Sequence, residues 1–370
     1  MDKKKFFKEM DIDALFASSP PEGLTEGARR RLKRRAPKNT DKTYKNQVKK
    51  FLDYGNTIPA TEIEVINYIN TLHEEGYSSN TIGTALSAIA KAHKLNGLEF
   101  HTKGYWLKKM IAEAATESEN IIRRATPLPL DELKMIINDF RERFSDLSKQ
   151  PTDRLANRRD AALFLVMFAS ASRISEMINL RVGDIKETPE GIIMNIRSSK
   201  TNKTREQIKA IPYSGGDHCP AIELLEYMRI LGFDPKKEEQ HNYHLFFSTG
   251  RNSRFYKKYY RTSRRNGRIK RTTVTDLLWI RRALKTTKPF RKPVNQETYY
   301  RRIYKTTKRT TGKKYSAHSF RAGFVTEAIH RGMSDHSIMA MTGHTNVNTM
   351  RVYLREANKF RHNASAGMFD

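Results

Sequence analysis

The chain has 370 residues, and 69 Lys and Arg against 40 Asp and Glu give it a formal charge of +29. The longest apolar stretch, residues 161–171, is too short to span a bilayer, and the N-terminus lacks a signal-peptide core. A single cysteine, Cys219, excludes a disulfide framework and a Cys-rich zinc site. These features predict an intracellular two-domain protein with no membrane partner, whose main partner is a polyanion.

The first 38 residues are predicted to form a flexible tail. Ser18–Pro21 (SSPP) is typical of a loop, and the basic run Arg29–Arg35 (RRRLKRR) shows no helical periodicity. This run fits a flexible DNA-binding arm, a nuclear-import signal or a plain disordered tail.

Residues 39–116 are predicted to form a small bundle, because four segments in succession carry an apolar helical face. The segments are Thr43–Tyr54, Thr61–Glu75, Ser79–Leu95 and Tyr105–Ala115. Residues 117–126 are polar and are interpreted as a linker. The exposed basic or polar faces of the bundle contain the candidate DNA contacts Lys42, Thr43, Thr81, Lys91 and Lys94.

Residues 127–353 are predicted to form a second, mostly helical domain. Ala161–Ser170 is apolar on all sides, which is typical of a buried helix. Two segments of strand type, Ile192–Arg197 and Glu206–Pro212, flank the turn sequence KTNKT and predict an antiparallel hairpin. Further helices are predicted at Leu130–Phe140, Gln296–Lys308, Ser319–His330, His336–Met341 and Asn348–Asn358. The fold class is therefore mainly α with a small antiparallel β-sheet.

Most of the positive charge lies in residues 251–314, which contain 23 Lys and Arg but only two acids, Asp276 and Glu297. Aromatic residues are interleaved with these basic residues. Lys and Arg neutralise phosphates, and aromatics stack on bases or fill a core. The stretch favours nucleic-acid contact, and a solvated basic loop with a few buried aromatics is the alternative.

The second domain also carries an ordered series of residues suited to phosphate chemistry. The predicted local structure of each residue would direct its side chain into a common cleft. The first residue follows the buried helix, and the second lies at the hairpin turn. The next two share a helix face at i and i+3, and the last two follow a glycine turn and lie on the last helix. In that order they are Arg173, Lys200, His318 with Arg321, His344 and Tyr353.

Each of these signals alone has an ordinary structural explanation. Arg173 also fits an ion pair with Glu176, Tyr353 also fits a half-buried core tyrosine, and a His-x-x-Arg pair arises by chance in so basic a chain. The order and the local context of the whole series favour a shared cleft.

The second domain resembles the catalytic domain of the tyrosine recombinase (phage-integrase-like) family. The resemblance is carried by ASRISEMINLRVGDI (Ala171–Ile185), SKTNKTR (Ser199–Arg205), AHSFRAG (Ala317–Gly323) and TGHTNVNTMRVY (Thr342–Tyr353). The first domain is similar to that family's helical core-binding domain, mainly through SSNTIGTALSAIAKAH (Ser78–His93). Together the two likenesses cover residues 39–353.

This resemblance implies a site-specific DNA recombinase or integrase of a mobile element or virus. It implies a C-shaped clamp of the two domains around double-stranded DNA and a homotetramer on two DNA sites. The enzyme would use neither a metal, a cofactor nor a small-molecule substrate, and would work in the nucleus of a eukaryotic host or otherwise in the cytoplasm or nucleoid. The C-terminal residues 354–370 either dock on a neighbouring protomer or fray.

Residue by residue, the likeness assigns a role to each member of the series. Tyr353 would be the nucleophile, and Arg173 and Arg321 would bind the phosphate. Lys200 would be the general acid on the hairpin. His318 and His344 would support the transfer of protons and charge.

Two departures from the family pattern stand next to the arginines. Ala171 occupies the position, two residues before the first arginine, where the family usually has glycine. Ala322 follows the second arginine, where histidine is frequent. A basic insertion at about residues 250–288 has no counterpart expected in a compact member.

Two other readings remain open. A type IB topoisomerase uses a similar set of groups as a monomer, although the hairpin and the small helical first domain favour a recombinase. A non-catalytic DNA-binding regulator derived from a recombinase is the other, although all six catalytic positions hold competent residues. A two-metal nuclease fits poorly, because residues 251–370 contain only six scattered acids.

Overall fold

The computed structural model describes residues 11–17, 22–32, 38–100, 104–116, 125–146, 148–149, 151–197, 207–249 and 293–343. The chain divides into two compact units, residues 1–124 and 125–370. No helix in the described ranges is both long and apolar enough to cross a membrane.

The regular secondary structure in the described part of the first unit is all helical. Its helices are α1 (Ile12–Leu15), α2 (Glu26–Leu32), α3 (Lys38–Asp53), α4 (Glu62–Glu74), α5 (Ser79–Leu95) and α6 (Tyr105–Thr116). Thr61 and Glu64 form a capping box at the start of α4, and Ser78 caps α5, as expected for these residue types. The core consists of the apolar faces of α3 to α6. The four predicted helices are confirmed, and α3 starts five residues earlier than the sequence indicates.

The predicted tail differs from the structure at α1 and α2. A four-residue helix is unstable alone, and α1 forms because it packs on the bundle. Ile12 and Leu15 pack against the first unit's core, and the Lys45 ammonium bonds the Asp13 carboxylate at 2.6 Å. The Asn96 amide donates to the Leu15 carbonyl. The prediction of a flexible tail was therefore wrong for residues 11–17, and part of the basic run is helical in α2.

The second unit contains seven helices and three strands in the residues that the structure describes, besides two short 3-10 turns. The helices are α7 (Leu130–Ser145), α8 (Pro151–Ala169), α9 (Ile174–Ile178), α10 (Pro220–Leu231), α11 (Gln296–Thr311), α12 (Ala317–His330) and α13 (Asp335–Thr342). The strands are β1 (Ile185–Thr188), β2 (Gly191–Ile196) and β3 (Gln207–Pro212). The predicted fold class, mainly α with a small antiparallel sheet, is confirmed.

Helix α8 is the centre of this unit. Every residue from Ala161 to Phe168 is buried, and α8 packs against α7, α10 and α12. A helix without a polar face needs protein on all sides, so the predicted buried helix is confirmed. The buried Asp160 carboxylate accepts hydrogen bonds from Arg159 of the same helix and from Arg302 of α11. These bonds fix α11 against the core.

The sheet has the order β1-β2-β3, and both pairs are antiparallel. The β2–β3 pairing runs from Gly191 with Pro212 to Ile196 with Gln207, and the predicted KTNKT turn lies outside the described residues. Strand β1 and helix α10 are additional to the sequence prediction. On β3, Lys209 and Ile211 face inward while Ile208 faces solvent.

Candidate active site around the Arg173 turn

The first element of the site is the turn that ends α8. The Ala171 N–H donates to the Phe168 carbonyl at 3.0 Å and the Ser172 N–H to the Met167 carbonyl at 3.2 Å, which is a Schellman motif. Ala171 stands at the left-handed position with φ +47°, where glycine is the usual residue. In an alanine this conformation costs about 1–2 kcal/mol. The departure from the family pattern seen in the sequence is therefore a strained residue in the fold.

Arg173 follows this turn and begins α9. The sequence predicts a cap from Ser172 or a neighbour, and the structure places Arg173 itself at the cap position. The Glu176 carboxylate accepts the Arg173 backbone N–H and one guanidinium N–H, both at 2.9 Å. The ion pair that the sequence analysis weighed as an alternative is present, yet 19% of the Arg173 side chain is still exposed. The guanidinium is thus held on one side and open on the other.

Arg321 reaches the same turn from α12. Its side chain is buried, and its Nη1 donates to the Ala171 carbonyl at 2.8 Å. His318 stands one helical turn earlier on α12 and is exposed. The structure therefore brings the two predicted phosphate-binding arginines to one turn of the chain.

A buried lysine that the sequence analysis did not single out lies behind these arginines. The Lys209 side chain comes from β3 and is 1% exposed. Its Nζ donates to the Ser170 carbonyl at 2.8 Å and to the Ser172 hydroxyl at 3.0 Å. Burial, with Arg321 and Arg173 nearby, lowers the pKa of Lys209 to about 8, while Glu176 opposes that shift.

The charges around the turn favour an anion. Arg173, Arg321 and Lys209 are cations at pH 7, and in the described part of the chain the Glu176 carboxylate is the acid that acts on Lys209. Such a group of cations in a partly buried site attracts phosphate more strongly than the same charges in water.

Strand β3 also contacts the second turn of the site. The Gln207 amide donates to the Ala340 carbonyl near the end of α13 at 3.0 Å. Helix α13 ends at Gly343, whose φ is +68°. The predicted His344 follows directly, so β3 contacts both the turn before Arg173 and the turn before His344.

Three of the six predicted catalytic residues lie outside the described part of the chain: Lys200, His344 and Tyr353. The basic insertion at 250–288, the last predicted helix and the C-terminal residues 354–370 lie outside it too. The structure thus positions Arg173, His318 and Arg321 of the series.

The predicted DNA contacts of the first unit lie on α3 and α5, two helices that pack against each other. Lys42, Lys91 and Lys94 are exposed. The Thr43 hydroxyl donates to the Asn39 carbonyl, and the Thr81 hydroxyl shares a hydrogen bond with the Ser78 hydroxyl. The lysines are therefore better suited than the threonines to reach a phosphate. In the described ranges of both units, no group of three or more His, Cys, Asp or Glu is arranged to hold a metal ion.

Comparison with known proteins agrees with this geometry. Residues 141–359 match the phage integrase family, and this match covers more than half of the chain. The chain therefore belongs to the phage integrase family, that is, to the tyrosine recombinases, which are DNA strand transferases.

Two curated relatives illustrate the range of similarity. The integrase/recombinase xerD homolog of Selenomonas ruminantium is 28% identical over 215 residues, which are 55% of this chain and 60% of that protein. The chain thus spans less than two thirds of that relative's length. Tyrosine recombinase XerA of Pyrococcus horikoshii is 22% identical over 325 residues, covering 87% of this chain and 85% of that protein.

Two recombinases of known structure share the fold. The XerH site-specific recombinase bound to palindromic difH substrate aligns with a TM-score of 0.54 and 16% identity over 89% of this chain and 80% of that one. The Tn1549 transposon integrase in complex with transposon right end DNA aligns with a TM-score of 0.52 and 12% identity, covering 93% and 94%.

The residues that the sequence analysis missed are those that support the arginines. Lys209 stands between Ile208 and Ile211, an odd spacing that places the two isoleucines on opposite faces of a strand. The sequence does not show which of these two faces is buried, so the inward position of Lys209 beside Ile211 is known only from the structure. Glu176 was expected only as an ion-pair partner of Arg173, and Gln207 had no sequence signal.

Proposed function

We propose that this chain is a site-specific recombinase or integrase that cleaves and rejoins double-stranded DNA through a 3′-phosphotyrosyl link to Tyr353. The observation that carries the proposal is the contact of Arg321 with the Ala171 carbonyl, 150 residues away in the sequence and two residues before Arg173. Two guanidiniums that meet in a partly open, cationic site are suited to a single phosphate.

The arginines supply charge stabilisation. A planar guanidinium binds two phosphate oxygens and stays charged at all physiological pH values. When a nucleophile attacks, negative charge grows on the non-bridging oxygens, and Arg173 and Arg321 stabilise that charge. Loss of one such donor typically lowers the rate about 10²–10³-fold.

The remaining groups move protons. The Tyr353 phenol has an ordinary pKa of about 10, so it loses its proton only as it attacks phosphorus. Lys200 protonates the departing 5′ oxygen, His318 exchanges a proton with the phenol, and His344 donates to the phosphate. The phosphotyrosyl link conserves the energy of the broken bond, so rejoining needs no ATP, and no step needs a metal.

The family and the charge indicate how DNA is held. The first unit supplies Lys42, Lys91 and Lys94, with Thr43 and Thr81 beside them, and the two units together clamp the duplex. Four copies on two DNA sites would exchange strands. The protein would work inside the cell, in the nucleus of a eukaryotic host or otherwise in the cytoplasm or nucleoid.

Covalent trapping tests the proposal. The full chain is incubated with a pool of nicked duplexes that have randomised cores, so that a cleaved strand loses its 5′ end and cannot be rejoined. We expect a protein–DNA adduct that resists denaturant, and peptide mapping should place the DNA on Tyr353. Tyr353→Phe should retain DNA binding and lose the adduct.

Tyr105→Phe is the matched control, because Tyr105 is an exposed tyrosine of α6 that is neither a proposed catalytic residue nor a proposed DNA contact. It should form the adduct at the wild-type rate. An adduct that persists in Tyr353→Phe contradicts the assigned nucleophile, and binding without any adduct in the wild type indicates a regulator. Efficient relaxation of plasmids irrespective of sequence would instead indicate a topoisomerase.

A further inference from the structure

The strained Ala171 needs something to hold it in place. An alanine at φ +47° prefers other conformations by about tenfold in population. Relaxation of this residue would move Arg173, two positions further along the chain. A turn that keeps such a residue must be fixed by its surroundings.

Lys209 provides that fixation. Its ammonium bonds both neighbours of Ala171, the Ser170 carbonyl and the Ser172 hydroxyl. The Ser170 hydroxyl adds a bond to the Ser172 hydroxyl at 2.8 Å. A buried lysine is costly, because its charge loses its hydration, and an apolar residue at this inward position of β3 would avoid that cost.

We propose that Lys209 is a positioning residue that keeps the Ala171 turn in its left-handed form and thereby aims Arg173 at the scissile phosphate. In a relative with glycine at this position the turn would form without such a residue. In this chain the alanine and the buried lysine act as a pair. The inference rests on the proposed function, because its readout is the cleavage step.

Lys209 does not act as a second proton donor to the substrate. Its side chain is 1% exposed, and its Nζ is bonded to two protein oxygens. A general acid must come within hydrogen-bond reach of the leaving oxygen. Its effect on the reaction therefore passes through the turn and Arg173.

The test is a double-mutant cycle between Lys209 and Ala171, read as the rate of adduct formation on the nicked substrate under single-turnover conditions. Lys209→Met removes the two bonds and should lower that rate about tenfold, with DNA affinity unchanged. Ala171→Gly alone should change it less than about twofold. The double variant should recover to within about threefold of the wild type, because glycine adopts the turn without strain.

A second arm separates positioning from general loss of structure. In an Arg173→Ala background, Lys209→Met should cause no further loss, whereas a merely structural lysine would lower the rate again. Lys186→Met, at an exposed lysine of β1, is the control for removing a charge from the same sheet and should behave like the wild type.

If Lys209→Met does not fold, Ser172→Ala serves in its place, because it removes one of the two acceptors and keeps the charge. It should lower the rate about threefold and be rescued by Ala171→Gly. The positioning role is overturned if either variant keeps the wild-type rate, or if Ala171→Gly has the same effect with and without Lys209. A wild type that forms no adduct overturns the proposed function as well, so the two failures are distinguishable.

Discussion

Among the helices of the second unit that end in left-handed turns, two have turns that lie just before a proposed catalytic residue. Helix α13 uses Gly343 at φ +68° before His344, whereas α8 uses Ala171 at φ +47° before Arg173. Glycine adopts this conformation without cost, and alanine does not. The α8 turn is accordingly supported by bonds from the charged Lys209 and Arg321, whereas the neutral Gln207 amide bonds the end of α13. The left-handed turn is therefore an intrinsic preference of glycine at the end of α13, whereas at the end of α8 it depends on neighbouring side chains.

The largest expected effect is the pH dependence that the buried Lys209 gives to the free energy of unfolding. Lys209 has a pKa of about 8 in the fold against the ordinary 10.5, so the unfolded chain binds more protons between those values. The free energy of unfolding therefore rises with pH in that window. Between pH 7 and 9.5 the wild type should gain about 2 kcal/mol relative to Lys209→Met.

The measurement is a pair of urea titrations at each pH, with the difference between wild type and variant taken so that all other titrations cancel. A difference that stays flat, or that shrinks with pH, would contradict a buried, destabilised ammonium at this position.

The second prediction concerns a substitution that introduces strain into the unstrained turn at the end of α13. Gly343→Ala imposes on α13 the strain that α8 carries at Ala171, and its new methyl group would meet the Gln207 amide at 3.0 Å. We expect a loss of about 1–2 kcal/mol in the free energy of unfolding and slower adduct formation, because His344 adjoins the turn.

Gly312→Ala is the matched control for that variant. Gly312 ends α11 at φ +73°, and an added methyl group there would meet nothing within 4 Å. It should lose similar stability and keep the rate of adduct formation. Equal effects of the two variants on that rate would show that the α13 turn has no special link to the site.

The smallest expected effect comes from removing the strain in α8. Ala171→Gly relieves about 1–2 kcal/mol of left-handed strain but adds about 0.4–1 kcal/mol of chain entropy to the unfolded state. The net gain should be about 0.5 kcal/mol, detectable as a higher midpoint of thermal unfolding. A lower midpoint would mean that the alanine methyl group contributes packing that outweighs the strain.

Much of the fold was predictable, because long helices carry a strong periodic signal. The buried α8 was evident from an unbroken apolar run, and the β2–β3 pair from strand patterns around a turn. Strand β1 was not, since in its four residues only Ile185 is buried and no alternation shows. The cap of α9 was predicted to come from Ser172 or a neighbour, and the neighbouring Arg173 occupies it, while the Ser172 hydroxyl accepts a hydrogen bond from Lys209.

The two arginines of the site were predictable from the sequence, but the role of Lys209 beside them was not. The arginine positions carry a family pattern, whereas the role of Lys209 depends on which face of β3 turns inward. That choice is made by tertiary packing across the sheet, which leaves little trace in six residues. Ala171 in place of the usual glycine was the one sequence signal, and it indicates a strained turn only once its φ angle is known.

Strand β3 has a mechanical consequence for the enzyme. Gln207 and Lys209 lie two residues apart on one side of a single strand, and each bonds a different turn of the proposed site. A movement of that strand would change the contact of Gln207 with the end of α13 and the contacts of Lys209 with the Ala171 turn together. A shift of β3 would therefore change the geometry at both turns of the proposed site together.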